Sequence, residues 1–250
     1  MFALGYAAIA YAYSVITIVY AVGFVGGFVV PRSIDGPGIA TWAAALPTDV
    51  LLLALFAIQH SVMARPAFKR AWTKLIPTHI ERSTYVLLSS IVLTAIFCYW
   101  VPIPGNVWAV TNSTGNFALW ALFGLGWLIV FISPSMISHT DLFGIRQVLL
   151  HMRHRTYTTP RFQRRLLYKL VRHPIMLGYL IAFWATPRMT EGHLLFSIVI
   201  TLYILVALQF EERDLVADVG SEYVNYQKTV PMLIPFFKRR LDNRHRGKNQ

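Results

Sequence analysis

Long apolar runs, broken by short basic segments, leave this chain few folds to choose from. No charged residue occurs between Met1 and Pro31, and three further predominantly apolar stretches follow at Trp42 to Ala64, Tyr85 to Val101 and Phe117 to Ile137. Each is near the roughly 20 residues that a helix needs to cross a bilayer core. Lipid offers no hydrogen-bond partner to a backbone, so runs of this length are expected to be helical rather than open sheet. The first run is too long for a secretory signal peptide and lacks its basic start, so it reads as a membrane span. With 250 residues, 56% of them hydrophobic, the chain is expected to form one integral membrane domain over 1–250. Its parts are a four-helix region, 1–138, and a connector, hairpin and tail, 139–250.

The last apolar region differs. Ile175 to Pro187 is only 13 residues, about 20 Å of helix at 1.5 Å per residue. Leu194 to Phe210 returns after Pro187, Arg188, Glu191 and Gly192, so the two halves read as a tight antiparallel helical pair. The expected fold is all-α, with four full transmembrane helices, a C-terminal helical hairpin and a cytoplasmic tail, giving five to six membrane helices.

Charge placement sets the orientation. Arg65 to Arg82 carries five lysines and arginines, Arg146 to Arg172 eight, and the stretch after Phe210 eight, together 21 of the 23 in the chain. The positive-inside rule puts these three regions on the cytoplasmic side. The loops Pro31 to Pro47 and Pro102 to Asn116 hold one basic residue between them and go outside. Short loops and the lack of a targeting segment fit a bacterial inner membrane.

The net charge of +12 does not call for nucleic acid. Basic residues at membrane boundaries each gain about 1 kcal/mol from anionic headgroups, and lipid accounts for them. The lone cysteine, Cys98, excludes an internal disulfide or a thiolate metal site and reads as a small packing residue. The eight histidines, His60, His79, His139, His151, His154, His173, His193 and His245, show none of the short spacings of a zinc site on a membrane helix. No metal is expected, although two distant histidines would suffice for a haem.

The chemistry is concentrated near the C-terminus. Tyr168 is followed by Arg172-His173-Pro174, Ile175, Met176, Gly178 and Tyr179 at one mouth of the hairpin, with Glu211 and Glu212 at the other. Arg172 offers a rigid fork for a carboxylate. Pro174 suits the first position of a helix, and Gly178, one turn on, would let a ligand approach the backbone. The glutamates are expected to close the second helix and to favour a cation. Such a set suits a cationic, nucleotide-like methyl donor. Singly, each residue has an ordinary structural reading as a solvated flank or helix punctuation; the ordered set is what points to a cofactor site.

That set, extended by Gly220, Tyr223, Tyr226, Val230-Pro231 and Pro235, resembles the C-terminal signature of the isoprenylcysteine carboxyl methyltransferase and phospholipid methyltransferase superfamily. The resemblance implies an integral membrane enzyme using S-adenosylmethionine. Gly23-Phe24-Val25-Gly26, Pro31-Arg32-Ser33-Ile34-Asp35, Gln59-His60-Ser61 and Asp141-Leu142-Phe143-Gly144-Ile145-Arg146-Gln147 are similar to the methanethiol S-methyltransferase family, near the NnrU-like membrane proteins. This implies methanethiol as the acceptor and dimethyl sulfide as the product. Two positions depart from the superfamily pattern: Met176 stands where an aromatic residue is usual, and Ala207 where prenylcysteine enzymes carry an arginine. The second departure favours a small neutral thiol over an acceptor with a carboxylate.

A thiolate, not a thiol, is the nucleophile, so a proton acceptor is expected. His60 and Asp141 are the preferred pair, with His139 and Glu211 as further candidates. His60 reads equally as an interhelical hydrogen-bonding residue, and Asp141 as an N-cap for Leu142 to Met152. Tyr179, Phe183 and Trp184 could line an apolar cavity or simply pack. Tyr223 and Tyr226 could fold the tail over the site or anchor it at the interface. The alternatives are a lipid-amine or prenylcysteine methyltransferase, and a non-enzymatic NnrU-like accessory protein. A channel is disfavoured, because the charges cluster at one face.

Overall fold

A computed structural model describes residues 2–38, 41–159 and 163–235. Arg161, His245 and the part of the expected tail at 236–250, which holds six of its basic residues, lie outside the described residues.

Among the described residues, five helices are long and apolar enough to cross a membrane: α1 (Phe2–Gly26), α2 (Trp42–Ala64), α4 (Thr78–Tyr99), α5 (Ser113–Ile132, prolonged to Met136 by a 3₁₀ turn) and α9 (Glu191–Val219). Between α2 and α4 lies the short α3 (Pro66–Trp72). The connector forms α6 (His139–Leu142) and α7 (Ile145–Met152), the hairpin opens with α8 (Pro174–Trp184), and α10 (Ser221–Thr229) follows α9. The expected all-α membrane architecture is therefore observed. The described basic residues of the three clusters gather at one end of the bundle, called here the basic end.

Lipid exposure follows from side-chain spacing. Leu51, Leu55, Ile58 and Val62 fall on one face of α2 and are all exposed, as are Leu202 and Val206 on α9. The opposite faces pack inward: Phe24, Leu53, Ile96, Phe97, Trp127, Phe183 and Phe196 belong to one continuous core. Helix α4 packs on both α1 and α2, and α5 packs extensively on α8.

That last contact explains Gly178. A Cβ on it would come within 2.7 Å of the Gly126 carbonyl and 2.9 Å of a Val130 methyl. The glycine brings α8 against the α5 backbone, the small-residue packing common between membrane helices, and does not open the helix to a ligand as the sequence suggested.

Helix α8 has 11 residues, about 16 Å at 1.5 Å per residue, so it cannot cross the roughly 30 Å hydrocarbon core unaided. The chain instead continues into β2 (Arg188–Thr190), which pairs antiparallel with β1 (Asn106–Ala109), a two-stranded cap that the sequence did not reveal. This end is pinned by Asp35, which accepts from Thr190 Oγ1 at 2.5 Å and lies 3.0 Å from buried His193 Nδ1.

Two further expectations are corrected. Helix α9 does not stop at Phe210 but runs through Glu211 and Glu212 to Val219, where Gly220, at φ 74°, ends it. Nothing between these residues breaks a helix, and Glu212 is neutralised by partners from outside α9. Cys98 is exposed rather than packed, although its carbonyl accepts from Arg32 Nη1 at 2.6 Å.

Candidate functional site

The hairpin mouth is organised around Glu212. Its carboxylate is buried and accepts from Arg172 Nε at 2.5 Å, Arg172 Nη2 at 3.0 Å and Gln227 Nε2 at 2.9 Å, with His173 Nε2 at 3.0 Å. The remaining Arg172 nitrogen donates to the carbonyls of Val230 at 2.5 Å and Gln227 at 3.1 Å. All three nitrogens of the arginine are thus engaged within the protein. The sequence suggested a ligand carboxylate as its partner; here it locks α9, α10 and the start of α8 together.

The backbone completes the clamp. Arg172 N–H donates to Pro231 O at 2.9 Å and His173 N–H to Met232 O at 3.2 Å, so the segment after α10 runs beside the Arg-His-Pro turn. Tyr223 and Tyr226 are both buried, edge to face at 5.7 Å, and the Tyr226 hydroxyl donates to Tyr168 O at 2.5 Å. They are internal packing residues of the clamp rather than interfacial anchors. Burial pushes the Tyr226 phenol up to about 12, and that of Tyr168 rises through burial and the nearby Glu211 carboxylate.

Glu211 behaves differently from its neighbour. One residue on, the helix has turned by about 100°, so Glu212 points into the clamp while the Glu211 side chain is 48% exposed. Among the described residues the nearest ring nitrogen to it, His173 Nδ1, is 3.9 Å away, too far for a hydrogen bond. Tyr85, Tyr168, Tyr203 and Tyr223 all lie within electrostatic reach of the Glu211 charge.

Deeper in the bundle, α2, α4 and α9 enclose a polar and aromatic group that the sequence only partly disclosed. His60 lies 2.9 Å from the Tyr85 hydroxyl through Nε2 and 3.1 Å from Ser89 Oγ through Nδ1, and its ring stacks on Phe56. Ser61 donates to the Tyr203 hydroxyl at 3.2 Å, and Tyr203 meets Phe56 edge to face. Tyr85 and Tyr203 were missed. The available signal was polar side chains inside apolar spans, Tyr85 and Ser89 falling one turn apart on α4.

The expected pair of His60 and Asp141 is not formed. Among the described residues no hydrogen bond or ion pair joins them. Asp141 accepts from Arg146 at 3.0 Å and Tyr157 at 3.1 Å, and its place as N-cap of α7 is taken by Gly144. His139 faces α1, with Nε2 3.0 Å from the Tyr11 hydroxyl and its ring against Tyr11 and Phe143. Tyr179 joins an aromatic cluster with Trp127 and Phe183. Met176 packs on the core, Pro174 is buried at the start of α8, and Trp184 donates to Thr201 at 2.9 Å.

Tyr168, Ile175 and Asp141 do come together. With Arg82, Pro134, Ile137, Ser138 and Leu142 they line a half-open pocket of about 130 Å³ at the basic end. Arg82 escaped the sequence reading because it ends a basic segment, in the first turns of α4, where a charge is ordinary. Among the described residues no group of three or more metal-ligating side chains is found.

No protein-family model matches the chain, and no solved structure matches it significantly. Curated proteins do. Methanethiol S-methyltransferase 2 of Bradyrhizobium diazoefficiens is 54% identical over 244 residues, covering 96% of this chain and 93% of that protein. Methanethiol S-methyltransferase of Mycobacterium tuberculosis is 53% identical over 231 residues, 92% of this chain and 95% of that protein. A more distant relative, Nurim of Rattus norvegicus, is 30% identical over 182 residues, 69% of this chain and 68% of that protein. Identity at that level along nearly the whole length of both bacterial proteins carries one conclusion: the chain belongs to the methanethiol S-methyltransferase family.

Proposed function

We propose that this protein is an S-adenosylmethionine-dependent membrane enzyme that methylates methanethiol on sulfur to give dimethyl sulfide. In this reading it is one integral domain of a bacterial inner membrane, its basic end faces the cytoplasm, and the part from 139 onward builds the donor site. Besides membership of the family, the observation that carries the reading is the contrast between the two glutamates. Glu212 is fully paired inside the clamp, whereas Glu211 is half exposed and within electrostatic reach of several tyrosines.

The residues present fit such a donor. A carboxylate within electrostatic reach of tyrosine side chains suits a sulfonium, through charge and cation–π attraction. Glu211 and Tyr168 would hold the sulfonium, and Ile175 would offer an apolar wall. Arg172, His173 and Glu212 would act through the clamp by fixing where Glu211 and Tyr168 stand. Bound there, the donor would supply an electrophilic methyl group.

The chain's own chemistry is the handling of the thiol. His60 would take the thiol proton on a ring nitrogen, with Tyr85 and Ser89 fixing the tautomer and the ring plane. Phe56 and Tyr203 would exclude water from the thiolate.

The test is headspace gas chromatography on the detergent-purified protein given S-adenosylmethionine and methanethiol. Dimethyl sulfide that disappears in Glu211→Ala supports the reading. A folded wild-type chain that binds no donor by calorimetry and forms no product overturns it.

A further inference from the structure

The pocket between α4, α6 and the start of α8 has a use beyond general lining. It presents one cation, Arg82, and one anion, Asp141, to a volume of about 130 Å³. Ligand pockets for whole small molecules begin at roughly 300 Å³, so this one would take only the end of a larger ligand, and its half-open mouth would let the rest extend outward.

Local packing directs Arg82 into it. Gly144, at φ 87°, sits so close to Ser83 that a Cβ would come within 2.6 Å of the Ser83 nitrogen. That contact holds the α6–α7 corner against α4, where Arg82 Nε donates to Leu142 O at 2.8 Å. The guanidinium carbon lies 5.1 Å above the Tyr85 ring. Its two Nη groups make no ion pair among the described residues, in contrast to Arg172. Asp141 Oδ1 accepts from Arg146 at 3.0 Å and from Gln147 Nε2 at 3.5 Å, and Oδ2 from Tyr157 at 3.1 Å. A carboxylate has about four lone-pair sites, so Oδ2 can accept once more.

Opposite charges in so small a space complement a zwitterion. We propose that this pocket is the subsite for the amino-acid end of the methyl donor, with Arg82 holding the carboxylate and Asp141 the ammonium group. The proposal rests on the donor reading above and deepens it. Tyr168, which lines the pocket and lies within reach of the Glu211 charge, connects this subsite with the place given to the sulfonium. Asp141 then acts in binding rather than as the base, and Arg82 takes the part that the sequence suggested for Arg172.

The experiment compares binding of S-adenosylmethionine and of its decarboxylated analogue, which keeps the sulfonium, the adenosine and an amine but lacks the carboxylate. Calorimetry on the full chain in detergent is run for wild type, Arg82→Gln, Arg82→Lys and Asp141→Asn, with the melting temperature of each recorded. Wild type should prefer the intact donor by about tenfold or more, the scale of a charge-assisted bond. Arg82→Gln should lose that preference while binding the analogue within about twofold of wild type. Arg82→Lys, which keeps the charge but not the fork, should discriminate to an intermediate degree. Asp141→Asn should weaken both compounds alike, because both carry the amine. Equal binding of the two compounds by wild type overturns the subsite and leaves the donor reading standing, as does a preference that survives in Arg82→Gln. Binding of neither by folded wild type sinks both.

Discussion

Arg172 and Glu212 meet fork to fork, Nε to Oε1 at 2.5 Å and Nη2 to Oε2 at 3.0 Å, with both side chains about nine-tenths buried. The pair joins residues 40 positions apart and draws α8, α9 and α10 into one unit. Removing one member of a buried ion pair leaves the other as an uncompensated charge, at a cost of about 3–5 kcal/mol. Glu212→Ala should therefore unfold at markedly lower temperature in detergent, and an unchanged melting curve would refute the clamp.

Glu211→Ala should separate binding from stability. Its side chain is half exposed and makes no hydrogen bond among the described interactions, so the stability change should stay within about 0.5 kcal/mol. Donor affinity should nevertheless fall by about tenfold or more as the charge facing the sulfonium is lost. Side-by-side melting and calorimetry decide the point, and intact affinity would contradict the role given to Glu211.

His60→Ala and Tyr85→Phe address the thiol. With His60 2.9 Å from the Tyr85 hydroxyl, the histidine variant should lose roughly 10²–10⁴-fold in turnover, the usual worth of a general base. Tyr85→Phe should lose less, since it removes only the group that orients the ring. Both should bind the donor as wild type does. A loss of donor affinity that matches the loss of turnover would assign His60 to packing.

Gly178→Val tests the α5–α8 contact. The added Cβ would lie 2.7 Å from the Gly126 carbonyl and 3.0 Å from the Val130 nitrogen. Backbone cannot yield as a flexible side chain does, so the expected cost is about 1–3 kcal/mol. Thermal unfolding of the variant measures it.

Alkali should release the clamp before the membrane helices respond. The Tyr226 phenol is raised to about 12 from an ordinary value near 10. A raised folded pKa means that stability is fully present below the unfolded value and is lost as pH rises, here between about 10 and 12. Tyrosinate absorbance near 295 nm should rise late for this residue, with Tyr226→Phe removing that step. A step near pH 10 would show that the phenol is not buried in the clamp.

The membrane class, the first four long helices and the segregation of charge were legible in the chain, because bilayer thickness and headgroup charge impose their pattern one segment at a time, whereas the full length of α9 was not. Trp42–Ala64 has the limits that the run of apolar residues indicated. The ordered residues from Tyr168 to Glu212 were legible as a set for the same reason: they are local to two helix ends.

Which partner each side chain takes was decided only by the packed bundle. Arg172 was expected to face a ligand and instead faces Glu212; Arg82, unremarkable at the end of a basic segment, lines the pocket together with Asp141. Gly178 was expected to admit a ligand and instead admits a neighbouring helix. Each of these depends on how helices distant in sequence are rotated about their own axes. A shift of one residue turns a side chain by about 100°, and composition and spacing carry no information about that rotation until the helices meet.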